Sequence, residues 1–442
     1  MKSLIDNPKE LLELIDSCLK PKQEEKKKYG EVGTPFKLIN EMLNKLPKKV
    51  WKNKNYKWFD PANGMGNFPI AIYLRLMKGL KEEIEDENDR KKHILENMLY
   101  MSELNKKNVY ICKQIFNIND EYKLNLYNGD SLKLDIEKEW GIKKFDVIVG
   151  NPPYNNELKR TGATALYHKF IEKYIDKTTR LTFIIPSRWF SGGKGVNGFR
   201  KMMLKRTDIK FIKHFDDASK LFSNNVDIKG GVNYFMINKK YKGKCKFNNN
   251  FVDLSKYDVL VDSKYYNLID TCLKYDSITK LYMNQNYYGL QTNDKRLNDN
   301  NEFIKCYVSK QKGFIKYIDK KYITKDYKFY KIITARASYE HKSGFGNMFI
   351  DNADSVFTKS YISFKIKNDK EAKSLLSYLK CKLPNVILSL RKNSQDISEN
   401  TCKWIPLLPL DREWTNKKIY EYLKLKDDEI QFINDIKIIG YK

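Results

Sequence analysis

The sequence predicts an α/β fold: a doubly wound, mostly parallel sheet, followed by a C-terminal α+β domain. Three observations carry that prediction. Short apolar runs alternate with helical faces over roughly the first 240 residues. A glycine turn, Asp60-Pro-Ala-Asn-Gly-Met-Gly-Asn67, separates the first such run from the first long helical face. Beyond about residue 250 the alternation stops, and Tyr and Lys interleave in short irregular stretches.

In chain order, residues 1–28 read as a helical extension ending in the charge run PKQEEKKK. Phe36, Ile39, Leu43 and Leu46 then mark one helix face. Lys57–Asp60 is a first strand. Phe68, Ile72, Leu76 and Leu80, four apart, form the apolar face of the helix after the turn. Residues 81–92 are a polar, charged excursion. Leu99–Glu103 is a second strand, with Val109, Cys112, Ile115 and Phe116 on the next helix. Leu124–Tyr127, Phe145–Gly150, Leu181–Pro186 and Gly231–Asn238 complete the strands. Apolar strands separated by helices indicate a sheet covered on both faces. A helical face returns near Ala372–Leu390. The boundaries implied are 1–28, 29–245 and 246–442.

Composition narrows the class. The 442 residues are 41% hydrophobic, which suits globular domains. No apolar run reaches the roughly 20 residues of a membrane span, and the N-terminus lacks a signal-peptide core. A cytoplasmic, membrane-free setting is expected. Seven scattered cysteines without a C-x-x-C pair, and four scattered histidines, predict reduced thiols and no metal site. The net charge of +28 favours a polyanionic partner, although a Lys-, Asn- and Tyr-rich chain also follows from AT-rich coding.

Chemistry concentrates at the ends of the predicted strands. Gly64 and Gly66 let backbone amides approach a ligand, and the helix start beyond favours a negative group. Such a turn alone also suits dinucleotides or phosphates. Glu103 ends the second strand, where its carboxylate can accept from two ribose hydroxyls. It stands about 40 residues beyond the glycines, against roughly 20 in a dinucleotide fold. Asp130 follows the third strand and can accept from a purine amine.

Asn151-Pro152-Pro153-Tyr154, directly after the buried run FDVIVG, is the most informative tetrapeptide. An amino group conjugated to a ring, such as that of adenine, is a poor nucleophile toward a methyl sulfonium. Two acceptors on its hydrogens, the Asn151 side-chain oxygen and the Pro152 carbonyl, would direct its lone pair at the methyl group. The prolines stiffen the loop and preorganise those acceptors. Tyr154 offers a ring for stacking a base, worth about 1–3 kcal/mol, and a base must leave the duplex to reach such a pocket.

Together these residues resemble the N6-adenine DNA methyltransferases of restriction–modification systems, in the gamma arrangement of the Taq methylase and the type IIG enzymes. The similarity spans most of the chain. Gly33-Thr34-Pro35 looks like the family's upstream cofactor motif, Asp60-Pro61-Ala62 with Gly64 and Gly66 its methionine-contacting motif, and Asn151–Tyr154 its catalytic motif. Gly230–Phe235, Ser389–Ile397 and Thr401–Pro406 also look like family segments. The resemblance implies a Rossmann-like methyltransferase sheet with a C-terminal target recognition domain. It implies S-adenosyl-L-methionine as cofactor and duplex DNA as substrate of a site-specific, adenine-specific methyltransferase. A monomer, with any cognate restriction endonuclease encoded separately, is expected.

Two departures stand out. Asn63 replaces the usual Thr, and the second base-stacking residue is not fixed by sequence between Phe222 and Ile228. Type IIG enzymes carry an N-terminal nuclease; only 32 residues precede the Gly33 motif here, so no cleavage activity is expected.

For the duplex, Tyr317, Tyr322, Tyr327, Phe329 and Tyr330 interleave with Lys316, Lys320, Lys321, Lys325, Lys328 and Lys331. Cations position DNA on its phosphates, whereas bases are read by other groups. Lys321 and Lys392 are the candidates for the first role, and Arg336, Arg391 and Gln395 for the second. Rival readings are a protein-glutamine or RNA methyltransferase, cytosine-N4 methylation, which needs the same acceptors, and an inactive specificity subunit. Cytosine-C5 chemistry is disfavoured because no Pro-Cys dipeptide exists to supply its nucleophile.

Overall fold

The computed structural model describes residues 4–7, 10–11, 13, 33–155, 164–193, 195–222, 228, 230–338, 343–392 and 394–439. Most of the expected N-terminal helix, and positions 223–227 where the second base-stacking residue was sought, lie outside them. The chain forms two compact units, residues 1–263 and 264–442.

Unit 1 is built on nine strands among the described residues: β1 (Trp58–Asp60), β2 (Leu99–Glu103), β3 (Asn125–Asn128), β4 (Phe145–Gly150), β5 (Thr178–Pro186), β6 (Ile209–Phe215), β7 (Val232–Asn238), β8 (Cys245–Phe247) and β9 (Asn250–Val252). Their order is β3-β2-β1-β4-β5-β7-β6-β8-β9. The first five run parallel, and β7 lies antiparallel between β5 and β6. The predicted α/β class and its six strands are present, with ends shifted by up to three residues. Strand β6 was not anticipated, because Lys210, Lys213 and His214 give it a half-polar face.

Helices α1 (Phe36–Leu43), α2 (Asn67–Gly79), α3 (Glu87–His93), α4 (Lys106–Phe116), α5 (Ile136–Trp140), α6 (Tyr167–Tyr174) and α7 (Asn197–Leu204) accompany the strands. Adjacent residues of β1 show how both faces are filled, since neighbours on a strand point opposite ways. Trp58 enters the cluster that includes Leu38, Ile39 and Leu76 of α1 and α2. Phe59 faces the other side, stacked on Phe145 at 4.8 Å with Tyr174 of α6 at 5.3 Å. All four residues of the predicted α2 face, Phe68 to Leu80, are buried. The charged excursion is partly ordered as α3, started by the Asp86 carboxylate accepting from the Asp89 amide at 2.8 Å.

The boundary expected at 245/246 falls inside β8, whose pairing with β6 and β9 extends the first sheet. The two units part instead after Ser263. Two three-residue strands carry too little pattern to be read from sequence.

Among the described residues, unit 2 holds two small sheets, ordered β10-β16-β13-β14 and β12-β11-β15. The strands are β10 (Tyr282–Met283), β11 (Ile304–Tyr307), β12 (Ile315–Ile318), β13 (Tyr330–Ala335), β14 (Met348–Asn352), β15 (Ser355–Phe357) and β16 (Tyr361–Ile366). The helices are α8 (Tyr266–Cys272), α9 (Asp369–Leu379), α10 (Lys382–Arg391), α11 (Glu399–Cys402), α12 (Asn416–Leu423) and α13 (Asp427–Asp435). The single helical face expected near 372–390 is thus two helices, restarted at Cys381 in extended conformation, with Pro384 accommodated in the first turn of α10. The six described cysteines are buried and unbridged. Among the described residues no helix is long and apolar enough to cross a membrane.

Candidate active site

The order β3-β2-β1-β4-β5 reverses direction between β1 and β4, where open α/β sheets form a crevice at the strand ends. The sequence candidates converge there. Asp60 closes β1, and its Oδ1 accepts from the Ala62 amide at 3.1 Å. Its Oδ2 is buried without a hydrogen-bond partner. Burial pushes the carboxyl up to about 8, the neighbouring Glu103 charge adds to this, and the Ala62 amide opposes it. Pro61 and Ala62 lead into the turn, where Gly64 and Gly66 have φ of +54° and +95°. That left-handed backbone favours glycine, and Gly66 then serves as the N-cap of α2.

Glu103 is held from both sides. Its Oε2 accepts from the Gly64 amide at 2.8 Å and its Oε1 from the Asn105 amide at 2.7 Å. The β2 carboxylate therefore shapes the glycine turn as well as lying beside it. Asp130 is half-buried, with Oδ1 on the Leu132 amide. Next to it the Ser131 hydroxyl bridges the Pro61 carbonyl and the Ser102 hydroxyl, both at 2.5 Å, and so ties three strand ends together. Asn63 is buried, with Nδ2 on the Gly64 carbonyl and the Cys112 sulfur, so its departure from Thr is absorbed inside the turn.

Asn151 follows β4. Its Nδ2 donates to Thr34 Oγ1 at 3.0 Å, and the Thr34 carbonyl accepts from Asn67 Nδ2 at 3.1 Å. Thr34 is 5% exposed and Pro35 is the N-cap of α1. Pro152 is buried and Pro153 half-buried. Tyr154 is only 6% exposed, and burial drives its phenol far above the ordinary range, partly offset by the Asn151 amide. The stacking face expected of Tyr154 is covered in this conformation. The loop is pinned beyond it by the Leu166 amide on the Tyr154 carbonyl at 2.9 Å and by a bridge between Asn155 and Ala165.

The sequence reading missed Leu104. It follows Glu103 and is 55% exposed, an apolar side chain left bare beside a carboxylate; its only sequence signal is its place after the β2 acid.

Residues 38–222 match the family described as Eco57I restriction-modification methylase. The match lies within the first unit and runs from α1 through β6, taking in the glycine turn and the Asn151 loop. Among its relatives, an uncharacterised adenine-specific methylase of Mycoplasma pneumoniae is 28% identical over 330 residues, covering 58% of this chain and 76% of the relative. The type II methyltransferase M.AccI of Acinetobacter calcoaceticus is 24% identical over 395 residues, covering 79% and 66%. Among solved structures, the ATP-dependent type ISP restriction-modification enzyme LlaBIII bound to DNA has a TM-score of 0.48 at 13% identity. The match covers 96% of this chain and 41% of that one.

The expected DNA contacts in unit 2 divide sharply. Lys321 is exposed, with its ammonium 3.1 Å from Asp319. Gln395 is exposed, and Arg336 is partly so, 3.7 Å from Asp396. Arg391 and Lys392 are not available to a duplex: they are 5% and 4% exposed. Arg391 bonds the Asn400 carbonyl and side chain and lies 4.3 Å over the Trp404 ring. Lys392 Nζ donates to the hydroxyls of Ser338 at 2.6 Å and Ser343 at 2.7 Å. Lys331, from the Tyr/Lys stretch, is buried too and paired with Asp351 at 2.9 Å. Arg391 and Lys392, followed by polar residues, look like surface in sequence but turn inward onto loop partners, and Lys331 pairs with its cross-strand neighbour between β13 and β14.

Proposed function

We propose that this chain transfers a methyl group from S-adenosyl-L-methionine to N6 of an adenine flipped out of duplex DNA, with unit 2 recognising the target sequence. The observation that carries this reading is the position of Asn151, one residue beyond the strand that borders the Asp60–Gly66 turn, within the segment that matches the Eco57I methylase family.

The residues at the turn fit the cofactor. Asp60 Oδ2 is a buried acceptor awaiting a partner, and an ideal Cβ on Gly64 would meet nothing within 4 Å, leaving open space at the turn. Asp60, Pro61, Ala62, Gly64 and Gly66 would hold the methionine part, whose ammonium complements the Asp60 carboxylate. Glu103, already fixed as an anion acceptor by two amides, would take the ribose hydroxyls. Asp130 would accept from the adenine amine, and the bare Leu104 would cover a purine face. When bound, the cofactor supplies a methyl group on a positively charged sulfur.

The chain's own part is to prepare the nucleophile. Asn151 Oδ1 and the Pro152 carbonyl would accept the two hydrogens of the target amine. They draw its lone pair out of the ring and stabilise the positive charge that develops on N–H during attack. Fixed acceptors in a stiff loop need no reorganisation at that moment; no general base is required to begin the reaction, and the extra proton leaves the methylated nitrogen for solvent once the carbon–sulfur bond has broken. The exposed Lys321, Arg336 and Gln395 would contact the duplex.

The test is direct. The purified protein is incubated with methyl-labelled cofactor and mixed-sequence DNA, and the nucleosides are separated by mass. Label in N6-methyladenine supports the proposal. Label in N4-methylcytosine, in RNA or in protein, or DNA binding without transfer, refutes it. Long-read sequencing of DNA from expressing cells would give the sequence context.

A further inference from the structure

Thr34 belongs to a motif expected to contact the cofactor, yet its hydroxyl is turned toward the catalytic asparagine. We propose that Thr34 is a positioning residue for methyl transfer: by accepting from Asn151 Nδ2 it anchors the Asn151 amide plane, leaving the oxygen end for the target base. The inference rests on the proposed adenine methylation and assigns Thr34 a role in it.

An asparagine amide is nearly symmetric in shape but opposite in hydrogen bonding at its two ends. Only the oxygen can accept from an adenine amino group; a nitrogen in its place would present hydrogens to hydrogens and repel the substrate. Rotation about the last side-chain bond interchanges the two ends, and torsions of this type have broad, roughly two-fold wells. Something must therefore choose between them. Thr34 Oγ1 lies 3.0 Å from Asn151 Nδ2. With the nitrogen turned there, the oxygen lies at the other end of the amide plane.

Thr34 is itself well fixed. It is 5% exposed. Its carbonyl accepts from Asn67 Nδ2 at 3.1 Å, which ties it to the first turn of α2. Pro35 follows with φ −63° and ψ 143° and starts α1, so the Thr34 backbone leads into a proline-set, helix-anchored segment.

Three proteins decide the matter: wild type, Thr34→Val and Thr34→Ser. Valine keeps the volume and removes the acceptor, whereas serine keeps the acceptor. Single-turnover methylation of DNA and equilibrium binding of S-adenosylmethionine are measured for each, with thermal unfolding as a check on folding. Thr34→Val is expected to lower the transfer rate by about tenfold or more, as for other losses of reactant alignment, with cofactor Kd near wild type. Thr34→Ser should recover most of the rate. Thr34→Val that transfers at the wild-type rate, or that loses cofactor affinity while saturated turnover is retained, overturns the role. So does a serine variant as slow as the valine one. If the valine variant fails to fold, the serine variant with rates near wild type and Thr34→Cys, a poor acceptor, with slow transfer would carry the proposal, and equal rates for the two would overturn it. A wild-type protein that puts no methyl on adenine N6 would instead defeat the functional reading itself.

Discussion

Gly150, the last residue of the strand before the Asn151–Tyr154 loop, passes so close to Asp60 that a Cβ there would stand 2.6 Å from Oδ1. The end of β4 and the end of β1 are thus in contact through a carboxylate and a missing side chain. Gly150→Ala should force the two strand ends apart. A cost of about 1–3 kcal/mol is expected for such overpacking, read as a lower denaturation midpoint. Cofactor binding should weaken with it, measured by calorimetry.

Asn151→Ala should abolish methyl transfer, by about a hundredfold or more as for loss of one preorganised polar contact. Cofactor affinity should change little, because the proposed role of Asn151 is on the target amine. Unchanged turnover in quench-flow measurements would refute the assignment.

Asp60 gives the site a pH dependence whose sign follows from its environment. Its carboxyl is raised to about 8 by burial, so near neutral pH it is mostly protonated, and binding a cationic amino acid moiety should expel that proton. Cofactor affinity should therefore rise with pH up to about 8 and level off above it, and Asp60→Asn should flatten the curve. Stability moves oppositely. A carboxyl raised above its unfolded value contributes stability that is full below about 3.8 and is lost as pH rises from there through about 8. Above that pH, Asp60→Asn should melt higher than wild type. A flat affinity curve for wild type would count against Asp60 as the cation's partner.

Glu103→Ala removes the acceptor of both the Gly64 and Asn105 amides. Cofactor Kd should rise by about tenfold or more, since each charge-assisted bond contributes about 1.5–3 kcal/mol. Equilibrium dialysis that finds no change would exclude Glu103 from the site.

Lys321 and Arg391 should behave differently although both were expected on the DNA. Lys321→Ala should weaken duplex binding at low salt and lower the slope of log K against log salt by about one. Arg391→Ala should leave that slope alone and cost about 2 kcal/mol of stability, because its partners Asn400 and Trp404 lie in the protein. Fluorescence anisotropy across a salt series, beside thermal melts, separates the two.

Local chemistry made much of this protein readable. The period of Phe68, Ile72, Leu76 and Leu80 gives α2 because one face of a helix repeats every three to four residues. The run FDVIVG gives β4 because a strand covered on both faces needs no polar alternation. Strand β6 escaped notice because its burial depends on β7 and β8, which arrive later in the chain.

Asp60, Glu103 and Asn151 stood out as candidates because residue type and place after a strand are written along the chain. What the sequence by itself determined was the α/β class, the six main strands and the chemical groups carried at their ends. Only the tertiary structure decided that Thr34 meets Asn151 across 117 positions, that Arg391 and Lys392 turn inward, and that the first sheet continues to β9. The physical reason is that periodicity and turn chemistry act between near neighbours. A side chain's final partner, by contrast, is set by whichever distant surface packs against it.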